Sequence, residues 1–219
     1  MVSDPKPGCG VDSGPARAVA AGPGRGVDSG PHRAVAEGPG RGVGAGPCVV
    51  LTGPPGSGKT TVGRVLASLL GVELRDTDSA IEVQQGRSIS DIFLDEGEPR
   101  FRELERAEVA SSLGSHCGVL SLGGGAVMDP VTAAALAGHT VVFLDVGIAD
   151  AARRVGFNHT RPLLAVNPRA QWTRMMELRR PTYERLASFS VQTAGRPPQE
   201  IAAEIVRLLE TNGLETTDE

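Results

Sequence analysis

The sequence has little of what several protein classes require. Its three cysteines, Cys9, Cys48 and Cys117, match neither a disulfide framework nor the CxxC spacing of a structural metal site. No apolar run approaches the ~20 residues that a membrane-spanning helix needs, and residues 1–10 lack the basic and apolar regions of a secretory signal. These absences predict a cytoplasmic protein that does not use a membrane.

The sequence also lacks an excess of positive charge. The formal net charge is -4, whereas nonspecific nucleic-acid binding needs a clustered positive surface. We therefore expect no nucleic-acid partner.

Large apolar side chains are missing from residues 1–47. This segment contains 12 glycines and 7 prolines and no Leu, Ile, Phe, Tyr or Trp, so it cannot bury enough apolar area to offset the entropy of ordering. It includes a 16-residue repeat, at 10–25 and 26–41, whose two copies differ at two positions. We predict a disordered tail over 1–47, one domain over 48–210, and a short disordered tail over 211–219.

Residues 48–210 alternate between two hydrophobic periods. Short apolar runs predict strands, and apolar residues at helical spacing predict helices between them. The predicted strands are 48–53, 72–78, 118–125, 139–146 and 188–193, and the predicted helices are 59–71, 89–113 (with a break near 97–99), 129–137, 149–155, 168–187 and 198–210. This alternation predicts an α/β fold of three layers, α/β/α, around a five-stranded parallel sheet. Ligands of such sheets bind beyond the carboxyl ends of the strands.

The first predicted strand runs into a phosphate-binding loop. Residues 53–60, GPPGSGKT, match the P-loop pattern GxxxxGK[ST] at every fixed position, between a strand and a helix. Lys59 would bridge the β- and γ-phosphates, and the Thr60 hydroxyl would ligate Mg²⁺. The residues predicted to hold ATP phosphates are Gly56, Ser57, Gly58, Lys59, Thr60 and Thr61.

The loop alone does not identify the class of P-loop protein. The sequence has no Asn-Lys pair, which GTPases need for guanine, and no Asp-Gly pair, which the adenylate kinase signature contains. Motor and transporter ATPases carry an apolar strand that ends in Asp. The run VVFLD offers such an acid in Asp145, which stays open as an alternative metal-side carboxylate.

Carboxylates and arginines follow on the acceptor side. Asp76 and Asp78 end the second predicted strand, where one carboxylate can orient an acceptor hydroxyl and take its proton and another can hold the water shell of Mg²⁺. Asp78 also fits a helix N-cap. Arg102 and Arg179 lie in predicted helices and suit an anionic small molecule, because guanidinium pairs bidentately with carboxylate.

Six motifs together resemble one family. GPPGSGKTT, DTD, GEPRFRELE, LSLGGGAV, TRPLL and RRPTYERLA occur in the order and at the approximate spacing of shikimate kinases. The resemblance covers about residues 48–210. It implies an ATP-dependent kinase of P-loop type with a mobile lid, which phosphorylates the 3-hydroxyl of shikimate, works as a monomer and uses one Mg²⁺ per subunit.

The resemblance also implies roles for residues. Asp78 would contact the reacting hydroxyl, and Asp76 would be the second acid near Mg²⁺. The shikimate carboxylate would bind Arg102, Arg179 and the backbone N–H of Gly124. Because the family places its arginine four residues before a tyrosine, here Tyr183, Arg179 is favoured over Arg180. Secondary members of the site would be Gly123, Gly125 and Glu105.

The nucleotide end of the site rests on the same resemblance. Arg161 resembles the lid arginine that reaches the phosphates, and Arg154 and Arg196 resemble residues beside the adenine, with Pro198 nearby. Residues 155–168 have little periodicity and are predicted to form the lid that closes over ATP. Two alternatives stay open: a kinase of the gluconate type, and a nucleotide-binding module without turnover.

Overall fold

The computed structural model describes residues 46–155 and 167–214. Its five strands form one sheet in which every pairing is parallel. They are β1 (Val49–Thr52), β2 (Leu74–Asp76), β3 (Val119–Ser121), β4 (Val141–Asp145) and β5 (Phe189–Gln192). The spatial order is β2-β3-β1-β4-β5. The predicted five-stranded parallel sheet is therefore confirmed.

Helices connect the strands. They are α1 (Lys59–Leu70), α2 (Thr77–Gln85), α3 (Ile89–Asp95), α4 (Gly97–Ser115), α5 (Pro130–Ala135), α6 (Ile148–Val155), α7 (Pro168–Leu186) and α8 (Pro198–Leu214), with a 3-10 turn at Ala126–Met128. The predicted helix over 89–113 is two helices, which separate at Glu96.

The end of β2 differs from the sequence prediction. The strand stops at Asp76 because α2 begins at Thr77. The Asp76 carboxylate accepts a hydrogen bond from the backbone N–H of Ser79 and is the N-cap of α2. The alternative that Asp78 caps the helix is wrong, since Asp78 lies within the first turn of α2.

Two apolar cores enclose the sheet, one on each face. Side chains of successive strand residues point to opposite faces, and in β1 Val49 and Leu51 join one core while Val50 joins the other. The first core packs against α1 and α8, and the second packs against α4 and α7. The chain therefore has the expected three layers.

A third, smaller core sits beside the sheet on the acceptor side. It consists of Ile81 from α2, Ile92 from α3 and Phe101 from α4, each at most 4% exposed. It fixes α2 and α4 relative to each other, and these two helices carry Asp78 and Arg102. Among the described residues, no helix is long and apolar enough to cross a membrane.

Candidate active site

The P-loop lies between the end of β1 and the start of α1. A Cβ on Gly53, which has φ 146°, would lie 2.6 Å from the carbonyl oxygen of Leu144, so this position requires glycine. Gly58 is left-handed, with φ 92°, and caps α1. The Lys59 ammonium donates to the carbonyls of Gly53 and Pro54, at 2.8 and 3.2 Å. The loop therefore wraps around the ammonium.

Trp172 of α7 contacts the P-loop, and its role was missed from the sequence. Its indole N–H donates to the carbonyl oxygen of Pro55 at 3.2 Å, while its ring is buried in the core. A buried tryptophan needs a partner for its N–H, so the single Trp of the chain was the available signal. The Pro55 carbonyl is thereby held by α7, through a residue that lies 117 positions later in the sequence.

Thr60 and Asp76 form an oxygen-rich corner next to the loop. The hydroxyls of Thr60 and Ser121 both donate to Oδ2 of Asp76, at 2.7 and 3.0 Å. Mg²⁺ takes oxygen ligands and often binds through one or two protein groups plus phosphates and water. Within the described ranges, no cluster of three or more His, Cys, Asp or Glu side chains could hold a metal by itself. The corner fits an ion brought in with a nucleotide.

Asp78 carries a buried oxygen without a partner. Its Oδ1 accepts no hydrogen bond from the described residues. Burial, with the nearby charges of Asp76 and Glu105, raises the pKa of Asp78 to about 6. An unpaired carboxylate oxygen beside the P-loop lysine is suited to accept a proton from a bound hydroxyl.

Lys59 is perturbed in the opposite direction. Burial lowers the pKa of Lys59 to about 8, against the carboxylates of Asp78 and Asp76, and Arg179 lowers it further. These three charged groups from α2, β2 and α7 therefore act on the P-loop lysine, which places the predicted donor and acceptor groups in one site.

The triple-glycine turn after β3 receives both predicted arginines. Nη1 of Arg179 donates to the carbonyl of Gly124 at 3.1 Å, and the same oxygen accepts from the Tyr183 hydroxyl at 2.5 Å. A Cβ on Gly125 would lie 2.7 Å from Nη1 of Arg102, so that guanidinium rests on the turn. Arg102 and Arg179 thus meet adjacent residues of one loop.

Glu105 holds Arg102 in place through a salt bridge. Its carboxylate, with 4% of the side chain exposed, accepts from Nη1 of Arg102 at 2.6 Å. Burial raises the pKa of Glu105, and the bond from Arg102 opposes that change. Glu98 accepts from the other side of the guanidinium, through Nε at 3.2 Å and Nη2 at 3.0 Å. The direction of Arg102 is fixed before any ligand binds.

Gly123 closes the turn against α2. Its backbone N–H donates to the Thr77 hydroxyl at 3.0 Å. A Cβ here would lie 2.5 Å from a Glu105 oxygen and 2.6 Å from Oδ1 of Asp78. Only glycine leaves these carboxylates where they are, so the turn sets the spacing between Asp78 and the arginines.

Of the residues predicted beside the adenine, Arg154 contacts the P-loop. Arg154 donates to the carbonyls of Gly56 and Ser57, at 3.1 and 3.3 Å, and also to the carbonyl of Thr193. Arg196 pairs with Glu204 of α8 at 2.6 Å. Pro198 begins α8. Arg161 and most of the predicted lid lie outside the described residues.

Asp145, the alternative metal-side acid, is engaged elsewhere. Arg180 binds it through two hydrogen bonds, Nη2 to Oδ1 at 2.7 Å and Nη1 to Oδ2 at 2.9 Å, and the Gln192 amide donates to Oδ2 at 2.7 Å. Although burial acts against ionisation, these hydrogen bonds hold the pKa of Asp145 below its usual range. Both carboxylate oxygens therefore have protein partners.

Comparison with known proteins agrees with this geometry. The family model described as shikimate kinase matches residues 55–210. A shikimate kinase of Salinispora tropica is 58% identical over 153 residues, which are 70% of this chain and 92% of the relative. One from Streptomyces avermitilis is 52% identical over 153 residues, covering 70% of this chain and 90% of the relative.

A solved structure shares the fold. The shikimate kinase from Acinetobacter baumannii, in complex with shikimate, superimposes with a TM-score of 0.71 and 33% sequence identity, over 76% of this chain and 94% of that one. The family model covers most of the chain, and the relatives are matched over nearly their whole length. This chain belongs to the shikimate kinase family of ATP-dependent kinases.

Proposed function

We propose that this chain transfers the γ-phosphoryl group of ATP to the 3-hydroxyl of shikimate, giving shikimate 3-phosphate and ADP. One observation carries the assignment of the acceptor. Two guanidinium groups, from Arg102 and Arg179, meet adjacent residues of the glycine turn, and the unpartnered oxygen of Asp78 borders the same turn at Gly123. An acceptor with a carboxylate at one end and a hydroxyl at the other is complementary to this arrangement.

Arg102 and Arg179 would bind the carboxylate of the acceptor. Glu105 and Glu98 already hold the Arg102 guanidinium from two sides, and the Gly124 carbonyl holds Arg179. Side chains fixed in this way lose little further rotamer entropy when an anion binds. The N–H of Gly124 would add a third donor.

Asp78 would receive the proton of the acceptor hydroxyl. As that proton moves to Oδ1, the hydroxyl oxygen forms a bond to the γ-phosphorus and the bond to the β–γ bridging oxygen breaks, so that ADP leaves. Positioning and charge stabilisation supply most of the catalysis in such transfers. The raised pKa of Asp78, about 6, makes it a stronger base than an ordinary aspartate while leaving it ionised at neutral pH.

The P-loop would hold the phosphates. Lys59 would leave the loop carbonyls for the β- and γ-phosphates, next to N–H groups of Gly56, Ser57, Gly58, Thr60 and Thr61. Thr60 would ligate one Mg²⁺ per subunit, with Asp76 and Asp78 bound through its water shell. The ion supplies charge neutralisation between the phosphates. Arg161, outside the described residues, would bring a further positive charge when the lid closes, and Arg154, Arg196 and Pro198 would flank the adenine.

Coupled ADP release tests the assignment. Purified protein is assayed with MgATP and either shikimate, gluconate or no acceptor, and we expect release that depends on shikimate. Arg102→Ala should then raise the shikimate KM at least tenfold, because about 1.5–3 kcal/mol of charge-assisted hydrogen bonding is lost, with the ATP KM nearly unchanged. ADP release that depends only on gluconate would favour a kinase of the gluconate type. No ADP release with any acceptor would favour a nucleotide-binding module without turnover.

We propose that the protein is a cytoplasmic monomer. We also propose that it has no nucleic-acid partner, which the net charge of -4 supports. Pro47 is buried and α8 runs to Leu214, so the domain extends beyond the predicted limits of 48 and 210, and we propose that residues 1–46 lie outside it. Light scattering of the full chain should give the mass of one subunit. Deletion of residues 2–46 should leave kcat and both KM values near those of the full chain, and loss of folding would contradict the proposed boundary.

A further inference from the structure

Asp145 and Arg180 form an ion pair, with the carboxylate buried and the Arg180 side chain 40% exposed, that the proposed reaction does not use. Asp145 ends β4, and 10% of its side chain is exposed. Arg180, on α7, approaches it with both terminal nitrogens, a fork geometry that fixes direction as well as distance. The guanidinium also lies over the ring of Phe143, 5.7 Å from its centroid.

The pair sits beside a weak point of α7. Pro181 lies inside this helix. Proline has no N–H for the carbonyl four residues earlier, and its ring pushes against that carbonyl, so helices bend or loosen there. Arg179 lies within this segment, between Glu177 and Pro181. Its direction therefore depends on contacts outside the helix.

Two contacts flank Pro181 and fasten α7 to the sheet. On one side is the fork between Arg180 and Asp145. On the other, the Tyr183 hydroxyl donates to the Gly124 carbonyl, and the Tyr183 ring stacks on Phe143 with centroids 5.1 Å apart. Successive residues of a helix point about 100° apart. Holding Arg180 on Asp145 therefore sets the direction of Arg179, toward the Gly124 carbonyl.

Asp145 is also separate from the metal corner. Its own carbonyl accepts from the N–H and the hydroxyl of Thr193, at 2.9 and 3.0 Å, which ties β4 to β5. The carboxylates that act on the Lys59 ammonium are those of Asp78 and Asp76. The contacts of Asp145 thus point along the sheet and toward α7.

We propose that Asp145 and Arg180 are a positioning pair for Arg179, which sets the affinity for the carboxylate of the acceptor and not that for the nucleotide. The inference rests on the proposed function, in which Arg179 binds that carboxylate. It replaces the metal-side role that the sequence left open for Asp145. Neither residue of the pair touches the substrate.

Steady-state kinetics of five variants tests the pair; one of them, Arg180→Lys, keeps the positive charge without the fork. Arg180→Met keeps the aliphatic stem, Asp145→Asn keeps the shape of the carboxylate, and the double variant removes both charges. Glu184→Gln is the matched control, because Glu184 is the exposed partner of Arg180, at 3.2 Å with 53% of its side chain exposed. KM for shikimate, KM for ATP, kcat and the Mg²⁺ concentration at half-maximal rate are measured for each, with the melting temperature.

We expect both single variants to raise the shikimate KM about fivefold or more, since Arg179 loses part of its aim, with the ATP KM and the Mg²⁺ requirement within twofold. The shikimate KM of the double variant should not exceed that of the more affected single variant, because the effects of residues that act as a unit are not additive. Arg180→Lys should restore part of the affinity. Glu184→Gln should match the wild type. If one single variant does not fold, the other and the double variant carry the comparison.

An unchanged shikimate KM in folded variants would overturn the pair's role, and so would a raised ATP KM or Mg²⁺ requirement, which would restore the metal-side role of Asp145. Failure of the proposed function is seen separately, in the wild type. If the wild type phosphorylates gluconate instead, the same variants are compared with that carboxylate as acceptor. If it phosphorylates neither, thermal stabilisation by each carboxylate is the readout, and equal stabilisation of wild type and variants overturns the proposal.

Discussion

Gly125→Ala should weaken acceptor binding without disturbing the fold. Gly125 has φ -101° and ψ -15°, a conformation that alanine adopts without strain. The new Cβ, however, would lie 2.7 Å from Nη1, 3.0 Å from Nη2 and 3.1 Å from Cζ of Arg102, where ordinary contacts begin at 3.4 Å. The guanidinium must retreat by roughly 0.7 Å. Because it is the far end of a flexible side chain, the movement is easy for the fold.

The retreat has a calculable effect on binding. Nη1 of Arg102 is held by the buried Glu105 at 2.6 Å, so moving away from the turn strains that bond and misaligns the fork. Loss of one charge-assisted hydrogen bond to the acceptor is worth about 1.5–3 kcal/mol, which corresponds to a rise of about 10- to 100-fold in the shikimate KM. The KM for ATP should change less than twofold.

The assay is coupled ADP release with varied shikimate at saturating ATP, together with thermal unfolding. Gly147→Ala is the matched control, because a Cβ there meets nothing within 4 Å and its φ is not positive. It should leave both KM values unchanged. A shikimate KM for Gly125→Ala within twofold of wild type, in a protein that melts normally, would refute the placement of Arg102 against the acceptor.

Three further predictions concern neighbouring groups. Gly123→Ala places a methyl 2.6 Å from Oδ1 of Asp78 and 2.5 Å from a Glu105 oxygen, so it should lower kcat by tenfold or more, as single-turnover rates would show. Trp172→Phe removes the donor to the Pro55 carbonyl and should raise the ATP KM a few-fold, while in the wild type ADP should alter the Trp emission; a silent spectrum and unchanged KM would contradict that coupling. Asp78→Asn should stop turnover yet raise the unfolding free energy at pH 8 by on the order of 2 kcal/mol, because the pKa of about 6 exceeds the ordinary 3.8; the gain should vanish as the pH falls from 6 toward 4 in denaturant titrations, and a pH-independent difference would refute it.

Local patterns were enough to predict the nucleotide side of the fold. The apolar run of β1, the glycines of the loop and the helical period of α1 are encoded in one continuous stretch, residues 48–71. Alternating strands and helices then predicted a parallel sheet, which the structure confirms. Each of these predictions used a pattern that is visible within a few residues, and sequence reasoning is strong there.

Two features that depend on distant contacts were not predicted. The bond from Trp172 to Pro55 joins residues 117 apart in sequence, and that from Arg180 to Asp145 joins residues 35 apart. No local sequence pattern predicts which strand ends contact α7. Asp145 therefore stayed open as an alternative metal-side acid, since a strand-end aspartate is all that the sequence displays. Its partner is visible only after the sheet order is known.

The packing of α1 has a consequence for the order in which the protein is made. The buried face of α1, at Val62 and Leu66, shares a core with Ile201 and Ile205 of α8, and β1 pairs with β3 and β4, which are synthesised about 70 and 90 residues later. Helix α1 is therefore among the first elements to leave the ribosome, but α8, which packs on its buried face, is synthesised last. Contacts between the two ends of a chain form slowly, and domains fold as units during synthesis. A nascent chain that stops before residue 198 should still fail to bind ATP, although it contains the whole P-loop.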